Sequence, residues 1–234
     1  MGPPPANLGA IIVAAGSGAR MGGIDKLFTQ IAGRPLLAHA VAAFQGCAEV
    51  ERVVLVLAAD NLENGQRLVL EQGFDKAIVC AGGLRRQDSV RLGLEALGPC
   101  EWVAVHDGGR PLVTAELIRR GLEAAQETGA AVPAVAVVDT VREAGPDRVV
   151  VRTLDRSRLW AVQTPQVFRY DLLLRAHREV TADPSAALRA GFTDDAAMLE
   201  ALGIAVKLFE GSRRNIKVTT PEDLEIVRGM LESG

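Results

Sequence analysis

Ile11-Ile12-Val13-Ala14-Ala15-Gly16-Ser17-Gly18-Ala19-Arg20-Met21 passes from an apolar, partly β-branched run into small residues and two glycines. The first half reads as a buried strand, because β-branched side chains suit a pleated, packed surface. The second half reads as a loop that can approach an anion closely. Without a Cβ, successive backbone N–H groups can wrap around an oxyanion, and small neighbours let a ligand lie against the chain. Arg20 adds a planar, permanently charged fork suited to phosphate oxygens, and Lys26 a second cation. Gly16 and Gly18 begin a GxGxxG, but Met21 holds the third glycine position and no helical period starts directly after it. The GxxxxGK[ST] pattern is also absent here. The loop is therefore a phosphate cradle of another kind, or a tight turn with incidental cations.

Downstream of this loop, short apolar runs alternate with segments of helical period. Val53 to Leu57 and Ala77 to Val79 read as strands, Pro35 to Phe44 and Leu62 to Gln72 as helices. Ser89 to Leu97 then reads as helix, Trp102 to Val105 as strand, Ala115 to Thr128 as helix and Ala131 to Val138 as strand. This rhythm predicts an α/β fold with a mostly parallel, twisted sheet and helices on both faces, since right-handed crossovers close such units. Ligands bind such sheets at the carboxyl ends of the strands, which is where the loop after Val13 falls.

The rhythm breaks over 139–159. Thr140-Val141-Arg142 and Val149-Val150-Val151 flank the turn-forming Ala144-Gly145-Pro146-Asp147, the mark of a β-hairpin. Its strands carry several polar residues and lack a helical crossover, so the hairpin is expected to project as an arm. An arm with an apolar side calls for a partner, and a homodimer supplies one. After it, Asp171 to Val180 and Asp195 to Leu202 read as helices, Ile204 to Phe209 as a returning strand and Pro221 to Leu231 as a closing helix. Pro221, Glu222 and Asp223 make a strong helix start. One domain over 1–234 with an arm at 139–159 is the expected organisation.

Composition narrows the class. Net charge is −3, so neither nucleic acid nor an anionic membrane is expected as the main partner. No apolar run reaches the roughly 18 residues of a membrane span, and the start lacks a signal pattern, so a cytoplasmic protein is expected. Cys47, Cys80 and Cys100 are far apart and apolar-flanked, which predicts buried thiols in a reducing compartment. His39, His106 and His177 have no metal spacing and read as structural.

Three later clusters repeat the design of strand, small residues and charge. His106-Asp107-Gly108-Gly109-Arg110 places a carboxylate at a strand's carboxyl end, where it can hold Mg²⁺ or orient substrate hydroxyls; capping a helix near Thr114 or pairing with Arg110 is the structural alternative. Gly82-Gly83 follows a strand and suits flat approach by a base, with Ser89 placed to cap the helix or line a pocket. Thr193-Asp194-Asp195 and Arg213 to Thr219 add hydroxyl, acidic and basic groups, of which Lys217 is the leading candidate.

Taken in order, these clusters resemble the 2-C-methyl-D-erythritol 4-phosphate cytidylyltransferase family. The resemblance runs from Ala14–Arg20 through Gly82-Gly83, Arg86, Asp88-Ser89-Val90, His106–Pro111 and Asp139-Thr140. It continues through Trp160 to Gln166, Thr193-Asp194, Asn215–Thr219 and Pro221–Leu224. It implies a Rossmann-like fold of the nucleotide-diphospho-sugar transferase type, and transfer of CMP from CTP to 2-C-methyl-D-erythritol 4-phosphate, with pyrophosphate leaving and Mg²⁺ clamping the triphosphate. It further implies that Arg20 and Lys26 stabilise the transition state, while Ala14, Ala15, Gly16, Ser17, Gly18, Gly82, Gly83 and Ser89 surround the nucleotide. Asp107, Arg110, Thr193 and Lys217 would hold the sugar phosphate, and Thr140 and Arg156 would reach into the neighbouring subunit's site. Two departures stand out: Asp25-Lys26-Leu27 where the family commonly has Pro-Lys-Gln, and Gly108-Gly109 in place of alanines. A cytidylyltransferase for ribitol 5-phosphate and a non-catalytic nucleotide-binding module are the rival readings.

Overall fold

The computed structural model describes residues 7–16, 26–182 and 192–233. Its centre is the strand that precedes the glycine loop, β1 (Leu8–Ala14). Alternate residues along it point to opposite faces. Ala10 and Ile12 join the packing around Leu36, Val41 and Phe44 on one face, and Ile11 packs with Val90, Leu94 and Leu97 on the other. A short hairpin, β2 (Gln30–Ile31) and β3 (Arg34–Pro35), leads into α1 (Leu36–Gln45).

Three parallel neighbours extend β1. β4 (Val50–Leu57) flanks one side, with β5 (Ala77–Ala81) beyond it, and β6 (Trp102–Asp107) flanks the other. α2 (Leu62–Glu71) links β4 to β5 and α3 (Arg86–Leu97) links β5 to β6. The register sets Val13 beside Asp107, Ala14 beside Leu57, and Leu57 beside Ala81. The Gly16, Gly82 and Asp107 loops therefore leave the sheet along a single edge, because parallel strands carry all their carboxyl ends to the same side.

The other half of the sheet is mixed. α4 (Ala115–Thr128) starts at Thr114, whose hydroxyl accepts from the Leu117 N–H, and feeds β7 (Ala130–Ala136). β11 (Gln166–Arg169) runs antiparallel between β6 and β7. β10 (Trp160–Val162) continues along the same edge of β7, with the cis Thr164–Pro165 peptide between the two. β12 (Lys207–Glu210) pairs in parallel on β7's far edge. The mostly parallel expectation holds around β1, while β10 and β11 lie outside the sequence reading. Strands of three and four residues are defined by their partners more than by any period of their own.

α5 (Tyr170–Ala182), α6 (Asp195–Ala201) and α7 (Pro221–Glu232) complete the chain. Pro221 sits in the first turn of α7, as expected from the sequence, and the structure adds a reciprocal capping box between Thr220 and Asp223. Residues 139–159 form the anticipated hairpin: β8 (Arg142–Ala144) pairs with β9 (Val150–Thr153) in a two-stranded sheet separate from the main one. Val149, Val150 and Val151 on this arm are more than half exposed, at 63%, 51% and 66%. Of the cysteines, only Cys47 is buried; Cys80 and Cys100 are partly exposed, a correction to the expectation of three buried thiols. Both lie near element ends, where packing is incomplete.

Candidate active site

The Gly16, Gly82 and Asp107 loops and the segment before α7 enclose a cleft of about 490 Å³. Ala14, Ala15 and Gly16 form one wall, Gly83 and Ser89 another, and Lys26, Asp107 and Lys217 bring charge into it. Gly82 packs directly behind: a Cβ there would lie 2.4 Å from the Ala15 Cβ and 2.8 Å from the Ser89 Oγ, so only glycine lets the two loops meet. Ser89 does not cap α3, because the helix starts earlier, at Arg86, where Asp88 accepts from the Arg85 N–H at 3.2 Å. Its hydroxyl instead accepts from the Gly83 N–H at 3.1 Å and so shapes the glycine loop.

Asp107 is the acidic centre. Lys217 Nζ donates to one carboxylate oxygen at 2.7 Å and Arg86 Nε approaches the other at 3.4 Å. Burial alone pushes its carboxyl up, but the charges of Arg86 and Lys217 outweigh that and hold it down at about 2. Asp107 is thus a fixed anion. The expected pairing with Arg110 is loose, at 3.9 Å. Arg110 donates instead to the Asn215 carbonyl at 2.7 Å and anchors the segment that carries Lys217. The same segment returns a Val218 N–H to the Gly109 carbonyl at 2.8 Å, and Lys26 Nζ donates to the Val218 carbonyl at 2.7 Å.

A neutral chain supports Asp107 from below. Burial lowers His106 to about 4, so the ring is neutral at pH 7. Its Nε2 faces the Arg110 carbonyl at 3.1 Å and must donate there, which leaves Nδ1 to accept from the Thr164 hydroxyl at 3.0 Å. That hydroxyl in turn accepts from the Asp107 N–H at 3.0 Å. Asn215, fully buried, donates to the Thr164 carbonyl at 2.7 Å.

This arrangement predicts a pH dependence of stability. A histidine whose folded pKa lies below its unfolded value gains its proton first in the unfolded chain, so stability is complete above about 6.5 and falls as pH drops toward 4. The loss attributable to His106 is on the order of 3 kcal/mol. Urea unfolding at pH 7 and pH 4 should show a smaller pH effect in His106→Gln than in the parent; equal effects would exclude His106 as the cause.

The remaining sequence candidates fall elsewhere. Thr193 is exposed beside Arg86, Asp194 and Asp195, in a shallow depression next to the cleft. Thr140 and Arg156 are exposed at the ends of the arm segment and do not line this chain's cleft. Arg156 donates to the Val138 carbonyl. Ser17, Gly18 and Arg20 lie outside the described residues. The sequence by itself assigns no role to Arg86, Thr164, Asn215 or Asp195, although the first three stand in the motifs of the family resemblance. Among the described residues no cluster of three His, Cys, Asp or Glu side chains is placed to hold a metal, and Asp107 is the only carboxylate lining the cleft. Both its oxygens face cations, so the residues present suit a metal carried by a bound triphosphate better than one held by the protein. No helix among the described residues is long and apolar enough to cross a membrane.

The family profile described as IspD, 2-C-methyl-D-erythritol 4-phosphate cytidylyltransferase, matches residues 8–233. A protein of that name from Dehalococcoides mccartyi is 47% identical over 97% of this chain and 97% of its own length. The crystal structure of 2-C-methyl-D-erythritol 4-phosphate cytidylyltransferase from Thermus thermophilus superposes with a TM-score of 0.77 at 35% identity, covering 97% of this chain and 99% of that one. The crystal structure of 4-diphosphocytidyl-2C-methyl-D-erythritol synthase from Anaerococcus prevotii gives a TM-score of 0.85 at 28% identity, covering 98% and 100%.

Proposed function

The chain belongs to the 2-C-methyl-D-erythritol 4-phosphate cytidylyltransferase family, and from that premise we propose that the cleft between the Gly16 and Gly82 loops receives CTP while Asp107 and Lys217 receive the acceptor. The enzyme transfers CMP from CTP to 2-C-methyl-D-erythritol 4-phosphate, giving 4-diphosphocytidyl-2-C-methyl-D-erythritol and pyrophosphate, a step in isoprenoid precursor biosynthesis. The observation that carries the site assignment is the convergence of two glycine loops, Lys26, Asp107 and Lys217 at one sheet edge.

An oxygen of the acceptor's phosphate attacks the α-phosphorus of CTP in line; its new P–O bond forms as the bond to the departing pyrophosphate breaks. No general base is needed, because a phosphate monoester is largely ionised at neutral pH. The barrier lies in charge repulsion and alignment, which fixed cations and backbone dipoles reduce. Gly16, Gly18, Gly82 and Gly83 let the backbone approach the nucleotide, with Ala14, Ala15, Ser17 and Ser89 beside them. Lys26 and Arg20 offset the charge that builds on the triphosphate. Asp107 orients acceptor hydroxyls, with Lys217, Arg110 and Thr193 placed for its phosphate. A divalent cation, which we assign as Mg²⁺, supplies further charge neutralisation when bound through the CTP phosphates. We place the reaction in the cytoplasm, where free thiols such as Cys47 persist.

Pyrophosphate release with CTP and Mg²⁺, measured in parallel with methylerythritol phosphate and ribitol 5-phosphate, tests the acceptor. Preference for methylerythritol phosphate is expected, and equal or reversed rates would overturn the assignment.

We further propose that the chain acts as a single domain whose arm makes a homodimer and carries Thr140 and Arg156 to the neighbour's site. The exposed Val149–Val151 run supports this reading. Mixing Lys26→Ala and Arg156→Ala proteins after subunit exchange should restore about a quarter of parental activity, since half the dimers then hold one intact site of two. Demonstrated heterodimers without recovered activity would remove Arg156 from the neighbour's site.

A further inference from the structure

Arg86 lies between two carboxylates. Its Nη1 donates to Asp195 Oδ2 at 2.5 Å while its Nε faces Asp107 Oδ1 at 3.4 Å. Asp195 is fully buried, and its other oxygen meets His177 Nε2 at 3.2 Å, on a ring that is itself only 3% exposed. The burial that opposes charge on Asp195 is outweighed by Arg86 and His177, which keep its carboxyl below the usual range.

A buried ion pair is costly to desolvate and contributes no more stability than well-packed apolar residues would, so its worth lies in what it positions. The turn that carries Asp195 is hydrogen-bonded on both sides. Asp194 caps α6 by accepting from the Ala197 N–H at 3.0 Å, and its second oxygen accepts from Gln166 Nε2 on β11 at 2.6 Å. Lys217, the other cation on Asp107, has a side chain that is 44% exposed and must also serve the substrate phosphate. Arg86, at 27%, is held from behind.

We infer that Asp195, acting through Arg86 and braced by His177, is a positioning residue that fixes the Asp107 carboxylate for the acceptor while Lys217 moves between Asp107 and substrate. The inference rests on the assignment of Asp107 to acceptor binding. Arg86 lines the cleft and Asp195 does not, so Asp195→Asn is the variant that separates the acceptor from the nucleotide.

Steady-state kinetics on the full-length enzyme with CTP and Mg²⁺, varying each substrate in turn, test it with Asp195→Asn, Arg86→Gln, their double variant and Asp107→Asn. The acceptor KM should rise by about fivefold or more in Asp195→Asn and Arg86→Gln, with a smaller change in the CTP KM of Asp195→Asn. The double variant should be no worse than Arg86→Gln, because the two residues act as one unit. That double variant leaves no uncompensated buried charge from the pair, so it carries the test on the same acceptor criterion if a single variant does not fold. An acceptor KM raised by less than about fivefold, an equal rise in the CTP KM of Asp195→Asn, or losses that multiply in the double variant would overturn the inference. If Asp107→Asn itself leaves the acceptor KM unchanged, the assignment of Asp107 is at fault; if only Asp107→Asn raises it, the positioning chain is.

Discussion

Replacing Lys26 with alanine is expected to lower kcat by about 10²–10³-fold while changing CTP affinity much less, because a cation aimed at developing charge acts mainly in the transition state. The structure gives this lysine a defined starting point. Its Nζ donates to the Val218 carbonyl at 2.7 Å, next to Lys217 in the chain, and the residue lines the same cleft as Gly83, Ser89 and Asp107. In the proposed site this ammonium stands between the residues assigned to CTP and those assigned to the acceptor. The measurement is kcat with both substrates saturating, alongside CTP binding by calorimetry. Near-normal turnover, or a loss that lies wholly in CTP affinity, would remove Lys26 from transition-state stabilisation.

Phe44→Ala is expected to cost about 3–5 kcal/mol of folding stability, the range for deleting a buried aromatic ring. Phe44 is fully buried at the end of α1, and its ring centroid lies 5.2 Å from that of His106. The cavity would loosen the His106 ring, and with it the Thr164 hydroxyl that accepts from the Asp107 N–H. Activity measured well below the melting temperature should therefore fall as well, chiefly through a raised acceptor KM. Urea unfolding at pH 7 reads the first effect and kinetics the second. A loss under about 1 kcal/mol would mean that the site collapses around the missing ring.

The two experiments probe different parts of the molecule. Lys26 belongs to a pattern that is visible in the sequence, although its residue neighbours Asp25 and Leu27 depart from the resembling family. Phe44 belongs to a core whose link to the site runs through His106, a residue that the sequence offered only as a structural histidine. Burial made it useful: a fully enclosed imidazole stays neutral and can both donate to the Arg110 carbonyl and accept from Thr164.

Near-neighbour chemistry made much of the protein legible from sequence. The strand before Gly16, the helix start at Pro221-Glu222-Asp223, the hairpin turn at Ala144–Asp147 and the alternation of strand with helix are all encoded within a few residues. Their order also placed the Gly16, Gly82 and Asp107 loops on one edge, since parallel strands share their carboxyl ends. Tertiary structure alone decided that β11 inserts antiparallel beside β6, that Ser89 shapes a loop instead of capping a helix, and that Arg86 reaches Asp195 across 109 positions. Such contacts carry no periodic or turn signal. They arise because sheet order brings distant segments within hydrogen-bonding reach, and burial then requires each polar group to find its partner there.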